Sequence, residues 1–210
     1  MGHKVYEFSY YHGNDDRDSR KIILQAELSD NRLNIKKSIV DFTFDTGAID
    51  VVCSAAALGI TITEEQFIDK FNTACVYRRG IAHSVSIRYY RYELSEFRLG
   101  NLRLYNIPIY ISFERDAKSR LIGMSLLRFF DILIRPEFKQ VKLTETDTLL
   151  EYLKEHGSLK DCDKYVPETY LDFGIEQGTD ESNALDEQAA EAAYINKLLK
   201  SNLNRRRTPQ

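Results

Sequence analysis

From Lys4 to about Leu143 the chain is a succession of short runs in which β-branched and aromatic residues alternate with polar ones, each run ended by turn residues. A period of two is what a strand with one buried face requires. The segments KVYEFSYYH, KIILQAEL, SIVDFTF, SVSIRYYRYEL, FRLGNLRLYNIPIYIS and FDILIRP therefore predict strands, with a turn at SDNRLN. Two short helices are predicted among them. One lies near SAAALG, the other at TEEQFIDKF, where Thr63 and Gln66 have the spacing of a capping box. After Leu143 the texture changes. TDTLLEYLKEHG reads as a helix closed by Gly157, with Leu149, Leu150 and Leu153 on one side. Beyond a loop-like stretch with Pro167, Gly174 and Gly178, SNALDEQAAEAAYINKLLKSNL returns to helical periodicity. Its acidic residues crowd the first half, while Lys197 and Lys200 lie in the second, as a helix dipole favours. The expected architecture is a mainly β domain over residues 1–143, with its core at about 20–143. An α-helical C-terminal extension over 144–210, with a partly disordered tail, follows it.

Composition narrows the function classes. With 210 residues, 43% of them hydrophobic and 29% charged, the chain can build one good core and an appendage. A formal net charge of −3 gives no general pull toward nucleic acid or an anionic membrane. No apolar run approaches the roughly 20 residues of a spanning helix, and MGHKVYEFSYYHGNDD lacks the hydrophobic stretch of a signal peptide. A cytoplasmic location is expected. Cys53, Cys75 and Cys162 are odd in number and widely spaced, which suggests reduced structural thiols. His3, His12, His83 and His156 show no metal-ligand spacing, so neither a metal nor a cofactor is expected. The terminal NRRRTPQ reads as a solvated end and not as a nucleic-acid site.

One stretch asks for chemistry. FTFDTGAIDVV, residues 42–52, sets Asp45 at the end of an apolar strand and follows it with Thr46 and Gly47. A carboxylate in apolar surroundings is costly unless it is hydrogen-bonded or shares a proton with a partner. Gly47 lets the chain turn and lets a second backbone come close. Taken alone, Asp45-Thr46-Gly47 is equally an ordinary turn.

Asp45-Thr46-Gly47-Ala48, between apolar Phe42 and Phe44 on one side and Val51 and Val52 on the other, resembles the active-site motif of retropepsin-like aspartic proteases. LIGMSLLRFFDILI, residues 121–134, resembles that family's second signature: two apolar residues and a glycine, a short helix with paired leucines, and a returning strand. Between them, YRRGIAHSVSIRYY is similar to the flap hairpin, with Gly80 and Ile81 at its tip. The resemblance covers roughly residues 20–143. It implies a closed β-barrel of the acid-protease half type, with a flap and short helices. It also implies an aspartic-type endopeptidase in which Asp45 is catalytic, positioned by Thr46 and Gly47, while Ala48, Asp50, Gly80 and Ile81 bind the substrate. Leu121, Ile122 and Gly123 would pack behind the Asp45 loop, and Leu126 and Leu127 would fill the core. The motif D-T-G occurs once, so the second carboxylate is expected from Asp45 of another copy, in a homodimer acting on protein or peptide substrates.

The sequence departs from the viral pattern in its charge contact, in a flap stretch, RRGIAHS, that is less glycine-rich, and in running on past the second signature to Gln210. Ile49 and Met124 stand where many retroviral proteases carry an Asp and an Arg, so packing is expected in place of that charge contact. Asp50 itself is expected to be a solvated carboxylate. A catalytically silent, dimeric peptide-binding or scaffold protein of the same fold is the alternative reading.

Overall fold

The computed structural model describes residues 2–12, 21–78, 86–115 and 120–164. Along the chain these form β1 (Val5–Ser9), β2 (Ile23–Asp30), β3 (Ile35–Phe44), β4 (Val52–Ser54), α1 (Ala55–Leu58), α2 (Glu64–Phe71) and β5 (Cys75–Arg78). There follow β6 (Ile87–Leu99), β7 (Leu102–Ser112), β8 (Leu121–Ile122), α3 (Met124–Leu127), β9 (Phe130–Arg135), β10 (Gln140–Glu145) and α4 (Asp147–His156). The protein is mainly β, with few short helices.

The larger sheet runs β2-β3-β8-β4-β7-β6-β5, and β2 also pairs with β6 from Ala26 opposite Leu99 to Ser29 opposite Glu96. That extra pairing closes six strands into a barrel and leaves β5 hanging on β6. The alternation read from the sequence sets the inside: Leu24, Ala26 and Leu28 of β2 and Val40, Phe42 and Phe44 of β3 are buried, with polar neighbours between them. Phe42 meets Phe97 edge to face at 5.6 Å across the interior. Helix α2 packs an aromatic side chain against β6. Its capping box forms as expected, Thr63 accepting from the Gln66 amide and Gln66 from the Thr63 amide. The helix buries Phe67 completely among the rings of Phe71, Tyr90, Tyr92 and Phe113. A phenylalanine so enclosed contributes about 2–3 kcal/mol of hydrophobic stabilisation.

The turn at SDNRLN is built by Asp30, which is 1% exposed. Its carboxylate accepts from the Arg32 and Leu33 amides at 2.8 and 3.2 Å, and from the Ser95 amide and hydroxyl at 3.0 and 2.6 Å. Those bonds tie the β2–β3 turn to β6. Burial alone would raise the Asp30 pKa, but the bonds from Arg32 and Ser95 outweigh it and hold the carboxyl below the usual range.

The second sheet has the order β1-β10-β9 and joins the first described strand to the hairpin that follows α3. Helix α4 then returns to the body of the protein. Thr146 caps it, Gly157 ends it at a left-handed φ of 71°, and its buried face is Leu149 and Tyr152. Leu150 and Leu153, expected on the packing side, are exposed instead. The ring of Tyr152 claims that face by stacking between Phe129, at 5.1 Å, and His156, at 4.3 Å. Leu149, Tyr152, Leu159 and Cys162 belong to the same core cluster as the barrel strands.

Asp163 pins the end of this stretch. It accepts from Arg91 at 2.5 and 2.8 Å and from the Tyr110 hydroxyl at 2.8 Å, while Arg128 donates to the Cys162 carbonyl at 2.5 Å. The second predicted helix, at 182–203, lies outside the described residues, as does the C-terminal tail. Among the described residues no helix is long and apolar enough to cross a membrane.

Candidate active site

Strand β3 delivers Asp45 to the start of a loop that ends at β4, and β8 is slotted between these two strands. It runs parallel to β3, with Thr43 opposite Leu121 and Phe44 opposite Ile122, and antiparallel to β4, with Val52 opposite Leu121. The Thr43 amide donates to the Arg120 carbonyl at 2.7 Å and the Asp45 amide to the Ile122 carbonyl at 3.1 Å. The backbone of the aspartate is therefore held by a strand 77 positions further on, the separation of Asp45 from Ile122.

The next three residues of the chain complete the clasp. The amides of Met124 and Ser125, which open α3 and have no partner within it, donate to the carbonyls of Ala48 and Ile49 at 2.8 and 2.7 Å. Gly123 makes this approach possible. A Cβ there would lie 2.5 Å from the Asp50 carbonyl oxygen and 2.7 Å from that of Ala48, both backbone atoms that cannot swing aside. Leu126 and Leu127 anchor α3 from below, being 2% and 1% exposed.

Within this clasp the side chain of Asp45 is half-exposed and the residues after it turn outward. Its Oδ1 accepts from the Gly47 amide at 2.8 Å, the bond of an Asx turn, and the Ala48 amide donates to the Asp45 carbonyl at 3.3 Å. That bond fixes the carboxylate's orientation. Thr46 and Gly47 are exposed at the tip, and Ala48 and Ile49 are half-buried. Asp50 departs from the sequence reading. Expected in solvent, it is 5% exposed, because the chain has by then turned inward under Gly123 and leads directly to Val51, at 1%.

The other predicted residues divide. Gly80 and Ile81 lie outside the described residues, although the strands on either side, β5 and β6, pair as the legs of a hairpin from Cys75 opposite Tyr90 to Arg78 opposite Ile87. Met124 packs half-buried against the core, and Ile49 is half-buried in the loop it joins. Cys53, on β4 just past the loop, is fully buried, and burial pushes its thiol up to about 12. Among the described residues no group of three or more His, Cys, Asp or Glu side chains is placed to hold a metal ion.

Sequence reading missed the carbonyls of Ala48 and Ile49, which do the holding. Backbone acceptors leave no residue-type signal. The only trace is the glycine at 123, whose missing side chain marks a close approach.

A comparison with models of known protein families gives no match to this chain, and a search against curated proteins gives none either.

Proposed function

We propose that the chain is an aspartic endopeptidase of the retropepsin-like kind, completed by homodimerisation. The observation that carries the reading is the Asp45 loop itself: a half-exposed carboxylate on a turn whose backbone is clasped by β8, Gly123 and α3. A surface turn has no need of such support, whereas a catalytic carboxylate must be held to a fraction of an ångström. The order of elements after β8, a glycine, a short helix and a returning strand, supports the same assignment.

In this reading two Asp45 side chains, one from each copy, face one another and share a proton. The ionised carboxylate takes a proton from water as the oxygen attacks the scissile carbonyl, and the protonated partner donates its hydrogen toward the carbonyl oxygen. Collapse of the tetrahedral diol breaks the C–N bond as the carboxyl that took the water proton passes it to the amine nitrogen and a diol hydroxyl returns its proton to the other carboxylate. One carboxyl is left ionised and one protonated, as at the start. Thr46, exposed beside Asp45, is assigned to meet its counterpart beneath the pair. Ala48, Gly80 and Ile81 are assigned to substrate, which would lie extended and be recognised through its main chain, whereas Asp50, at 5% exposed, belongs to the body of the loop. No cofactor takes part, and cytosolic proteins or peptides are the substrates.

The test is digestion of a denatured protein pool by wild type and by Asp45→Asn. Wild type is expected to cut with a bell-shaped pH profile, since one carboxyl must be ionised while the other is protonated. The variant is expected to lose at least about 1,000-fold in rate, the scale on which removing a principal catalytic group acts. Equal cleavage by both proteins would refute the assignment, and peptide binding without cleavage by either would establish a scaffold role.

A further inference from the structure

Strand β9 forms an outer edge of the small sheet: β10 pairs with one side of it, and no strand among the described residues pairs with the other. Its sequence, Asp131-Ile132-Leu133-Ile134-Arg135, is symmetric in character about Leu133: acid, isoleucine, leucine, isoleucine, base. Leu133 and Ile134 are 48% and 39% exposed, and Phe138 in the following turn is 66% exposed. Long apolar edge strands invite pairing with another chain, and proteins ordinarily blunt them with charge, proline or a cover. The geometry points to β9 as the contact with a second copy of this chain, paired antiparallel to itself about a two-fold axis through Leu133. The proposal rests on the dimeric reading above and names the surface that builds the dimer.

Hydrogen-bond parity permits this register. The Thr146 amide donates to the Phe129 carbonyl at 3.2 Å, and the Glu145 amide turns the other way, to the Lys4 carbonyl at 2.9 Å. Groups of alternate residues point to opposite sides of a strand, so the odd-numbered residues of β9 face β10 and those of Phe130, Ile132 and Ile134 face the open edge. About an axis at Leu133, Ile132 falls opposite the partner copy's Ile134, and both have backbone groups free to exchange.

Charge then selects this register over its neighbours. Asp131 falls opposite the partner copy's Arg135, twice by symmetry, in the closer, non-hydrogen-bonded type of pair. A slip by two residues along the strand keeps the parity but sets Asp131 against Leu133 in one direction and against the like-charged Glu137 in the other. Among the described residues neither Asp131 nor Arg135 forms an ion pair within its own chain. The inner face is already in use, since Phe130 is buried and Ile132 packs on the core, so self-pairing covers the edge without disturbing the fold.

The proposal is tested by sedimentation equilibrium on the full chain as wild type, Asp131→Arg, Arg135→Asp and the double swap. Each single swap sets like charges opposite one another at both ends and is expected to weaken the dimer about tenfold or more, while the double swap restores it to within about threefold. Single swaps without effect, or a double swap that fails to recover while its thermal melt matches wild type, would overturn the interface. Hydrogen exchange on the wild type needs no substitution. The amides of Ile132 and Ile134 are expected to gain protection as the concentration rises through the dimerisation range. Full protection in the dilute monomer would show the edge covered by the chain's own remaining residues and would overturn the proposal. A dimer indifferent to the swaps would leave the shared dyad standing on another surface. A dimer that follows the charge pattern but shows no Asp45-dependent cleavage would uphold the β9 contact and remove the dyad.

Discussion

Asp45 and Gly123 are 78 positions apart in sequence and form one unit in space, and the unit makes demands on each. At Gly123 the demand is steric. A methyl group there meets two carbonyl oxygens at 2.5 and 2.7 Å, so Gly123→Ala must push the Asp45 loop off α3 and break the bonds from Met124 and Ser125. We expect a loss of about 3 kcal/mol, at the upper end of overpacking costs, read from urea unfolding, with cleavage lost even where the fold survives. Thiol reactivity gives a second residue-scale outcome. Burial raises Cys53 and Cys162 to about 12, while Cys75 is only half-buried. Alkylation of the native protein should label Cys75 first, and the other two only on unfolding. The sequence displayed Asp45, Thr46 and Gly47 as a turn with an expensive carboxylate. It did not display the burial of Asp50, because a tetrapeptide pattern carries no record of where the chain turns inward.

At the scale of elements, local chemistry was the most legible. Thr63 and Gln66 made their box, Gly157 ended α4, and the period of two gave β2 and β3 their buried faces, since each depends on neighbours a few positions away. What failed was the choice of face on α4, where Tyr152, not Leu150 or Leu153, packs inward. Aromatic stacking on Phe129 is a long-range preference that helical periodicity cannot contain.

Two tertiary ties between elements lend themselves to measurement. Asp163→Ala removes the acceptor of two bonds from Arg91 and one from the Tyr110 hydroxyl and loosens the 160–164 stretch on β6 and β7, where Arg91 keeps only the Lys160 carbonyl and Asp161. About 3 kcal/mol of stability should go with it, as when one member of a largely buried ion pair is removed. Asp30 adds a pH dependence. Its carboxyl sits below the usual range in the folded state, so its contribution is complete above the unfolded value of about 4 and declines as pH falls through the lower folded value. The stability gap between wild type and Asp30→Asn in urea unfolding should therefore be widest above the unfolded value of about 4 and should narrow as the pH falls below it.

At the scale of the whole molecule, strand content could be read from the alternation of residues, whereas closure of the barrel was expected from the family resemblance alone and from no strand's own pattern. The pairing of Ala26 with Leu99 that shuts the barrel joins residues whose sequence signals are only those of two good strands. The insertion of β8 between β3 and β4 is equally invisible: a strand of two residues has no periodicity to detect. Yet closure and insertion together hold the Asp45 loop, and one copy of the chain carries one such loop. The proposed activity therefore belongs to a pair of chains. It should fall on dilution as dimers separate, and substitutions at Asp131 or Arg135 should shift the concentration at which this happens.

Mixing tests the shared dyad most directly. Wild type and Asp45→Asn are combined at fixed total concentration, allowed to exchange subunits, and assayed for cleavage of the denatured pool. Because every mixed dimer holds only one complete carboxyl of the pair, activity is predicted to fall as the square of the wild-type fraction, to about a quarter at equal parts. A straight-line fall, to about half, would mean that each chain cuts on its own and would contradict a catalytic pair built from two copies of Asp45.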